Sequence, residues 1–141
     1  MAITRNETQI TWNANNFILL SSATQQASDA FTFDPTDGAA TLQVTANNTG
    51  TPTSGDNVNV RISWSTGDIL GDTGDDYDTG EHAQLVMILD TYPTDTPGEN
   101  PARKSIEVPT SAKGLKLMID APQGASRNIN VRSRIITQRF A

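Results

Sequence analysis

Apolar residues recur at every second position along most of the chain. From Asn57 to Ser65, Val58, Val60, Ile62 and Trp64 point one way, while Asn59, Arg61 and Ser63 point the other. From Ala40 to Asn47, Ala40, Leu42, Val44 and Ala46 alternate with Thr41, Gln43 and Thr45. A period of two is the mark of a half-buried strand. The intervening NNTGTPTSGD is dense in turn formers, so the two strands are expected to pair as a hairpin with a long tip.

The same reading predicts strands at Thr8 to Trp12, Phe17 to Ser21 and Ala30 to Asp34, the last with Phe31 and Phe33 on one side. His82 to Leu89 tolerates a two-turn helix, but its LVMIL run at this length favours a core strand. TYPTDTPGENPAR carries three prolines and reads as loop. Lys104 to Val108 and Leu115 to Ala121 are expected to form a second hairpin around PTSAKG. The final strand, Arg127 to Gln138, puts Ile129, Val131, Ser133 and Ile135 on one face, with Asn130, Arg132 and Arg134 on the other. Ile136 after Ile135 breaks the alternation, which predicts a bulge or an exposed apolar contact.

Strands with one apolar face need a second sheet to cover them. The expected fold is therefore all-β, an antiparallel β-sandwich, with a jelly roll of about eight strands favoured over an immunoglobulin-like sandwich. No repeat or linker divides the chain, so residues 1–141 read as one domain. An N-terminal arm is expected over about residues 1–7 and a flexible acidic loop over 66–81.

Composition agrees. Thr, Asn and Ser number 19, 11 and 10, residue types that suit strands, turns and caps better than helix interiors. There is no cysteine, which removes disulfides and thiolate metal sites together. The opening MAITRNETQ has no apolar stretch, and no run approaches the roughly 20 residues that span a bilayer, so a chain made in the cytosol and not membrane-bound is expected.

Charge is unevenly spread. Residues 1–102 hold 14 acidic and two basic side chains, while residues 103–141 hold eight basic and two acidic ones, for a net charge of −6. Overall acidity argues against nucleic acid as a main partner. The basic C-terminal strand suits either an acidic neighbour or internal balance between adjacent strands.

The segment GDILGDTGDDYDTGE, residues 67–81, concentrates candidate chemistry. Asp68, Asp72, Asp75, Asp76, Asp78 and Glu81 offer oxygens for calcium, with Asp72, Asp75, Asp76 and Asp78 the foremost candidates. The spacing fails the EF-hand template, and four glycines make gathering the carboxylates entropically costly, so a solvated loop is favoured and no cofactor is expected. Asp75 and Glu81 are the candidate carboxylate pair for glycosidic hydrolysis, a chemistry that needs a rigid cleft rather than a glycine-rich loop tip. His82, the single histidine, reads as a surface residue, and no catalytic role is expected. Trp12, Trp64, Tyr77 and Tyr92 are the candidates for a sugar-stacking platform, with Trp64 expected in the core and Trp12 and both tyrosines freer. Candidate protein-interface residues are Arg5, Tyr77, Tyr92, Arg132, Arg134 and Phe140.

The blocks MAITRNETQITWNANN, AFTFDPTDGAATLQVTANNTGTPTSGD, YDTGEHAQLVMILDT and KSIEVPTSAKGLKLMIDA resemble small virion proteins of tailed bacteriophages. More narrowly, the chain is similar to jelly-roll decoration, or cement, proteins of the outer capsid surface. That resemblance implies a non-enzymatic structural protein, made in the host cytoplasm and located in the virion. It further implies a homodimer or homotrimer that binds the major capsid protein and bridges its subunits. The alternative is a carbohydrate- or receptor-binding sandwich of a head fibre or tail.

Overall fold

The computed structural model describes residues 2–20, 24–50, 52–92, 101–122 and 128–140. Their strands, in order, are β1 (Ile3–Ile10), β2 (Ile18–Leu20), β3 (Gln26–Ala27), β4 (Phe31–Thr32), β5 (Asp37–Asn48), β6 (Asn57–Gly67), β7 (Asp76–Tyr77), β8 (Gln84–Asp90), β9 (Ala102–Val108), β10 (Gly114–Asp120) and β11 (Ile129–Phe140). The proline-rich loop read over TYPTDTPGENPAR lies mostly outside the described residues.

Two antiparallel sheets face each other. One has the order β1-β11-β5-β9, with β2 continuing along the β1 side of β11. The other runs β3-β10-β6-β7, with β4 beside β10 and β8 beside β6. The pairs are nested in sequence: β1 with β11, β3 and β4 with β10, β5 with β9, and β6 with β8. A single long antiparallel ribbon, its tip at β6–β8, is thus wound into two sheets. This is the jelly roll.

Nesting overturns both expected hairpins. β5 and β6 lie in opposite sheets, and so do β9 and β10. The turn-rich segment after β5 carries the chain across the sandwich, and the PTSAKG loop carries it back. The supposed N-terminal arm is also strand from Ile3 onward, paired residue for residue with β11 as far as Ile10.

The inner faces follow the alternation. Leu42, Val44 and Ala46 of β5 and Ile129, Val131 and Ile135 of β11 meet Val58, Val60 and Ile62 of β6 and Leu115, Leu117 and Ile119 of β10. Each fully buried Leu, Ile or Val contributes roughly 1.5–3 kcal/mol. Trp64 points inward as expected, but at the open rim, where with Ile62, Val86 and Ile106 it is only half covered. The irregularity near Ile136 falls later, between Gln138 and Arg139, and Ile136 itself is half-buried on the outer face.

Buried Asp37 is paired, whereas the buried Trp12 Nε1 and Asn57 Oδ1 have no hydrogen-bond partner among the described residues. The Asp37 carboxylate, fully buried, accepts the Asp34 N–H and the Arg139 Nε–H, both at 2.8 Å. Trp12 is buried rather than free. It opens a two-residue turn, with Asn13 at φ 48° and Ala14 at φ 64°, closed by reciprocal Trp12–Asn15 backbone hydrogen bonds. The Asp29 carboxylate accepts from the Thr11 hydroxyl at 2.6 Å and from the Asn13 and Ala14 N–H groups, holding that left-handed turn in place.

Candidate functional site

The outer face of the β1-β11-β5-β9 sheet is a set of cross-strand rows. Gln9, Arg134, Gln43 and Ser105 stand side by side on the four strands. The adjacent row is Arg132, Thr45 and Arg103. Three arginines from two strands thereby share one face, around a groove lined by Gln9, Gln43, Thr45, Arg103 and Ser133 along with Arg132 and Arg134.

Each arginine is steered by a neighbour. The Arg132 guanidinium lies 5.1 Å from the Phe17 ring centroid, a cation–π contact. Arg134 approaches Glu7 at 3.6 Å, with both side chains more than half exposed. The Arg103 Nε–H donates to the Thr45 hydroxyl at 3.3 Å. Gln43 donates to Ser105 at 3.0 Å. Glu7 offsets one of these charges and Glu107 shares the face, which with Arg5 keeps an excess of positive charge. The face presents fixed positive charge and amide and hydroxyl groups over a broad area.

The acidic segment lies against the other sheet and is organised by its own backbone. One Asp68 oxygen accepts the Gly71 and Asp72 N–H groups and the other accepts that of Thr73, which holds the carboxyl below its ordinary pKa, the Thr73 bond contributing most. Asp76 accepts from Ile69 at 2.7 Å and Leu70 at 3.0 Å. Asp75 pairs with Lys113 at 2.7 Å, and that hydrogen bond raises the lysine pKa. Asp78 fastens the returning chain to β6: its carboxylate accepts the Trp64 N–H, and its carbonyl accepts the Ser63 hydroxyl.

Of the calcium candidates, Asp72 and Asp76 come together with Asp68, one oxygen of each within 4.8 Å of the others. Asp75 and Asp78 are directed elsewhere. Nor are Asp75 and Glu81 a facing pair, since Asp75 is held by Lys113 while Glu81 lines a groove with Gln25, Arg61 and Asp120.

The remaining candidates are dispersed. Tyr77 sits in β7 beneath the Lys116 ammonium, 4.5 Å from its ring centroid, and burial followed by the Asp75 charge raises its phenol pKa. The backbone N–H of Tyr92 donates to Asp90 just after β8. Phe140 is not a loose tail: it pairs with Ile3 and its ring covers Gly38. Arg5 is exposed on β1. Trp12, Trp64, Tyr77 and Tyr92 form no common platform.

Arg103, Gln9, Gln43 and Phe17 were not singled out from the sequence. Arg103 is an outward position of its strand, a signal that becomes legible only once β9 is known to sit two strands from β11.

No protein-family model and no curated protein matches the chain. Among solved structures, a chain of Tomato Aspermy Virus aligns at TM-score 0.46 and 12% identity, covering 99% of this chain and 78% of that one. The CBM22-1–GH10 modules of Clostridium thermocellum xylanase 10B, complexed with xylohexaose, align at 0.48 and 16%, covering 97% and 25%. The capsid structure of Helicobacter pylori bacteriophage KHP30 aligns at 0.42 and 10%, covering 99% and 100%. These are likenesses of fold. Among the described residues no helix is long and apolar enough to cross a membrane.

Proposed function

We propose that the chain is a non-enzymatic structural virion protein that binds the outer surface of a phage capsid and stabilises it by bridging major capsid protein subunits. The observation that carries this reading is the outer face of the β1-β11-β5-β9 sheet. A chain of net charge −6 gathers Arg103, Arg132 and Arg134 there, each oriented by a neighbour and none buried. A broad basic surface suits an acidic protein face better than a small molecule, which takes an enclosed, largely apolar pocket. Single contacts of this kind are weak, and repetition over a lattice makes attachment firm.

The test is co-sedimentation with capsids that lack the protein, followed by heating of the particles. Wild type is expected to bind stoichiometrically and raise the temperature of particle disruption, and Arg132→Glu with Arg134→Glu to lose both effects. Failure of wild type to bind capsids sinks the reading.

A second reading, a carbohydrate- or receptor-binding module of a head fibre or tail, draws on the Gln9, Gln43 and Thr45 groups of the same face. A glycan array with the isolated chain separates the two. Selective retention of a polysaccharide together with no capsid binding favours the second.

A further inference from the structure

The free edge of β1 carries a charge pattern complementary to itself. Among the described residues β1 pairs with β11 alone, so its other edge presents eight residues of backbone without a ladder partner. Such edges are ordinarily guarded by charged side chains, proline, a bulge, short length or an inward-pointing charge. Of these β1 has only the outward charges Arg5 and Glu7, which are of opposite sign and two residues apart. Its register against β11 is unbroken from Ile3 to Ile10, and the residues on its inward side, Thr4, Asn6, Thr8 and Ile10, are uncharged. The opposite edge of the same sheet is guarded, because Lys104 of β9 falls in the inward series with Ala102, Ile106 and Val108.

We propose that two copies of the chain pair β1 against β1, antiparallel about a two-fold axis through Asn6, joining their β1-β11-β5-β9 sheets into one continuous sheet. The register follows from parity and charge. A two-fold axis normal to the sheet keeps each outer face on its own side, so residues that face one another must share a face and the axis must pass through a residue. Centred on Asn6, Arg5 stands opposite the second copy's Glu7, Glu7 opposite its Arg5, and Thr4 opposite Thr8. Centred one residue earlier, Arg5 opposes Arg5; one residue later, Glu7 opposes Glu7. Like charges directly opposite destabilise a strand pair, and opposite charges stabilise it. Only the Asn6 register is complementary.

Two further features fit this register. Arg5 makes no ion pair among the described residues, while Glu7, already 3.6 Å from Arg134, has room for a second cation. The Trp12–Asn15 turn interrupts the edge beyond Ile10, and the Asn6 register engages residues 3–9 of each copy, just short of that turn. The interface is isologous and therefore closes at two copies.

This inference stands apart from the capsid reading, since dimerisation is measured on the purified chain without any lattice. Sedimentation equilibrium of the full chain is expected to show a concentration-dependent monomer–dimer equilibrium. Arg5→Glu and Glu7→Arg each place like charges across both symmetric pairs and are expected to weaken the dimer roughly tenfold or more. Mixed in equal amounts, the two variants restore complementarity and are expected to form a heterodimer near wild-type affinity. Both substitutions are exposed, and circular dichroism checks that each variant is folded. A wild type that stays monomeric at the highest concentration, or assembles beyond two, overturns the proposal. So do folded single variants that associate as tightly as wild type, or a mixture that fails to dimerise.

Discussion

The Ser28 hydroxyl accepts the Leu117 backbone N–H at 2.8 Å, filling the gap in the ladder between β3 and β4 on the edge of β10. Ser28 is also tied by its own N–H to the Leu117 carbonyl at 2.8 Å. A side chain thus stands in for a missing strand residue. Ser28→Ala leaves the buried Leu117 N–H without its acceptor and is expected to cost about 1–3 kcal/mol. Urea denaturation checks it, as a lower midpoint at unchanged slope.

Gly114 permits the closest backbone approach on that same edge. A Cβ there would lie 2.6 Å from the Phe31 carbonyl oxygen and 3.3 Å from the Tyr77 hydroxyl. Backbone on one side and a half-buried ring on the other leave little room to yield. Gly114→Ala is expected to destabilise by about 1–3 kcal/mol, and thermal melting measures it.

Acid should loosen the fold through three aspartates. Asp29 is held below its ordinary pKa chiefly by the Thr11 hydroxyl, and then by the Ala14 and Asn13 N–H groups. Asp34 is lowered by the Thr36 hydroxyl and N–H, and Asp68 by the amides of its loop. A depressed folded-state pKa means the unfolded chain binds more protons, so the contribution is complete above the unfolded value. It is lost as pH falls through the folded values, below about 3.9. Melting temperature followed from pH 6 downward should drop in that window, and Asp29→Asn should flatten part of the drop.

The turn that Asp29 secures is itself strained at Ala14, whose φ of 64° lies where a Cβ is penalised. Ala14→Gly is expected to stabilise by about 0.5–1 kcal/mol, relief of strain exceeding the added chain entropy. Differential scanning calorimetry gives the sign directly.

Calcium should do little. Asp68 and Asp76 already accept five backbone N–H bonds between them, so an ion would have to displace donors that fix the loop. The expected result is an unchanged melting temperature at millimolar calcium, while a rise would reveal a bound ion.

Alternation made the strands legible, because Val58, Val60 and Ile62, or Ile129, Val131 and Ile135, must all reach one core. Pairing was not legible. The long turn-rich tip after Ala46 looks local, yet it crosses between sheets, and nothing in a two-residue period says which sheet a strand joins. Trp12 looks free in the sequence because the Asp29 contacts that fold its turn inward span 15 to 18 residues. The site was half visible: Arg132 and Arg134 announce themselves as alternate residues of one strand, whereas Arg103 joins them only through the β5 register. Read as bare aspartates, the acidic loop suggested an ion, but its carboxylates are largely taken up by backbone amides a few residues away.

β11 is the seam of its sheet, zipped to β1 and β2 on one side and β5 on the other. A ribosome that has made residues 1–128 has produced three waiting strands and none of the one they all require. Closure of that sheet therefore waits until β11 has been made, and until then the β1 edge lies open on both sides.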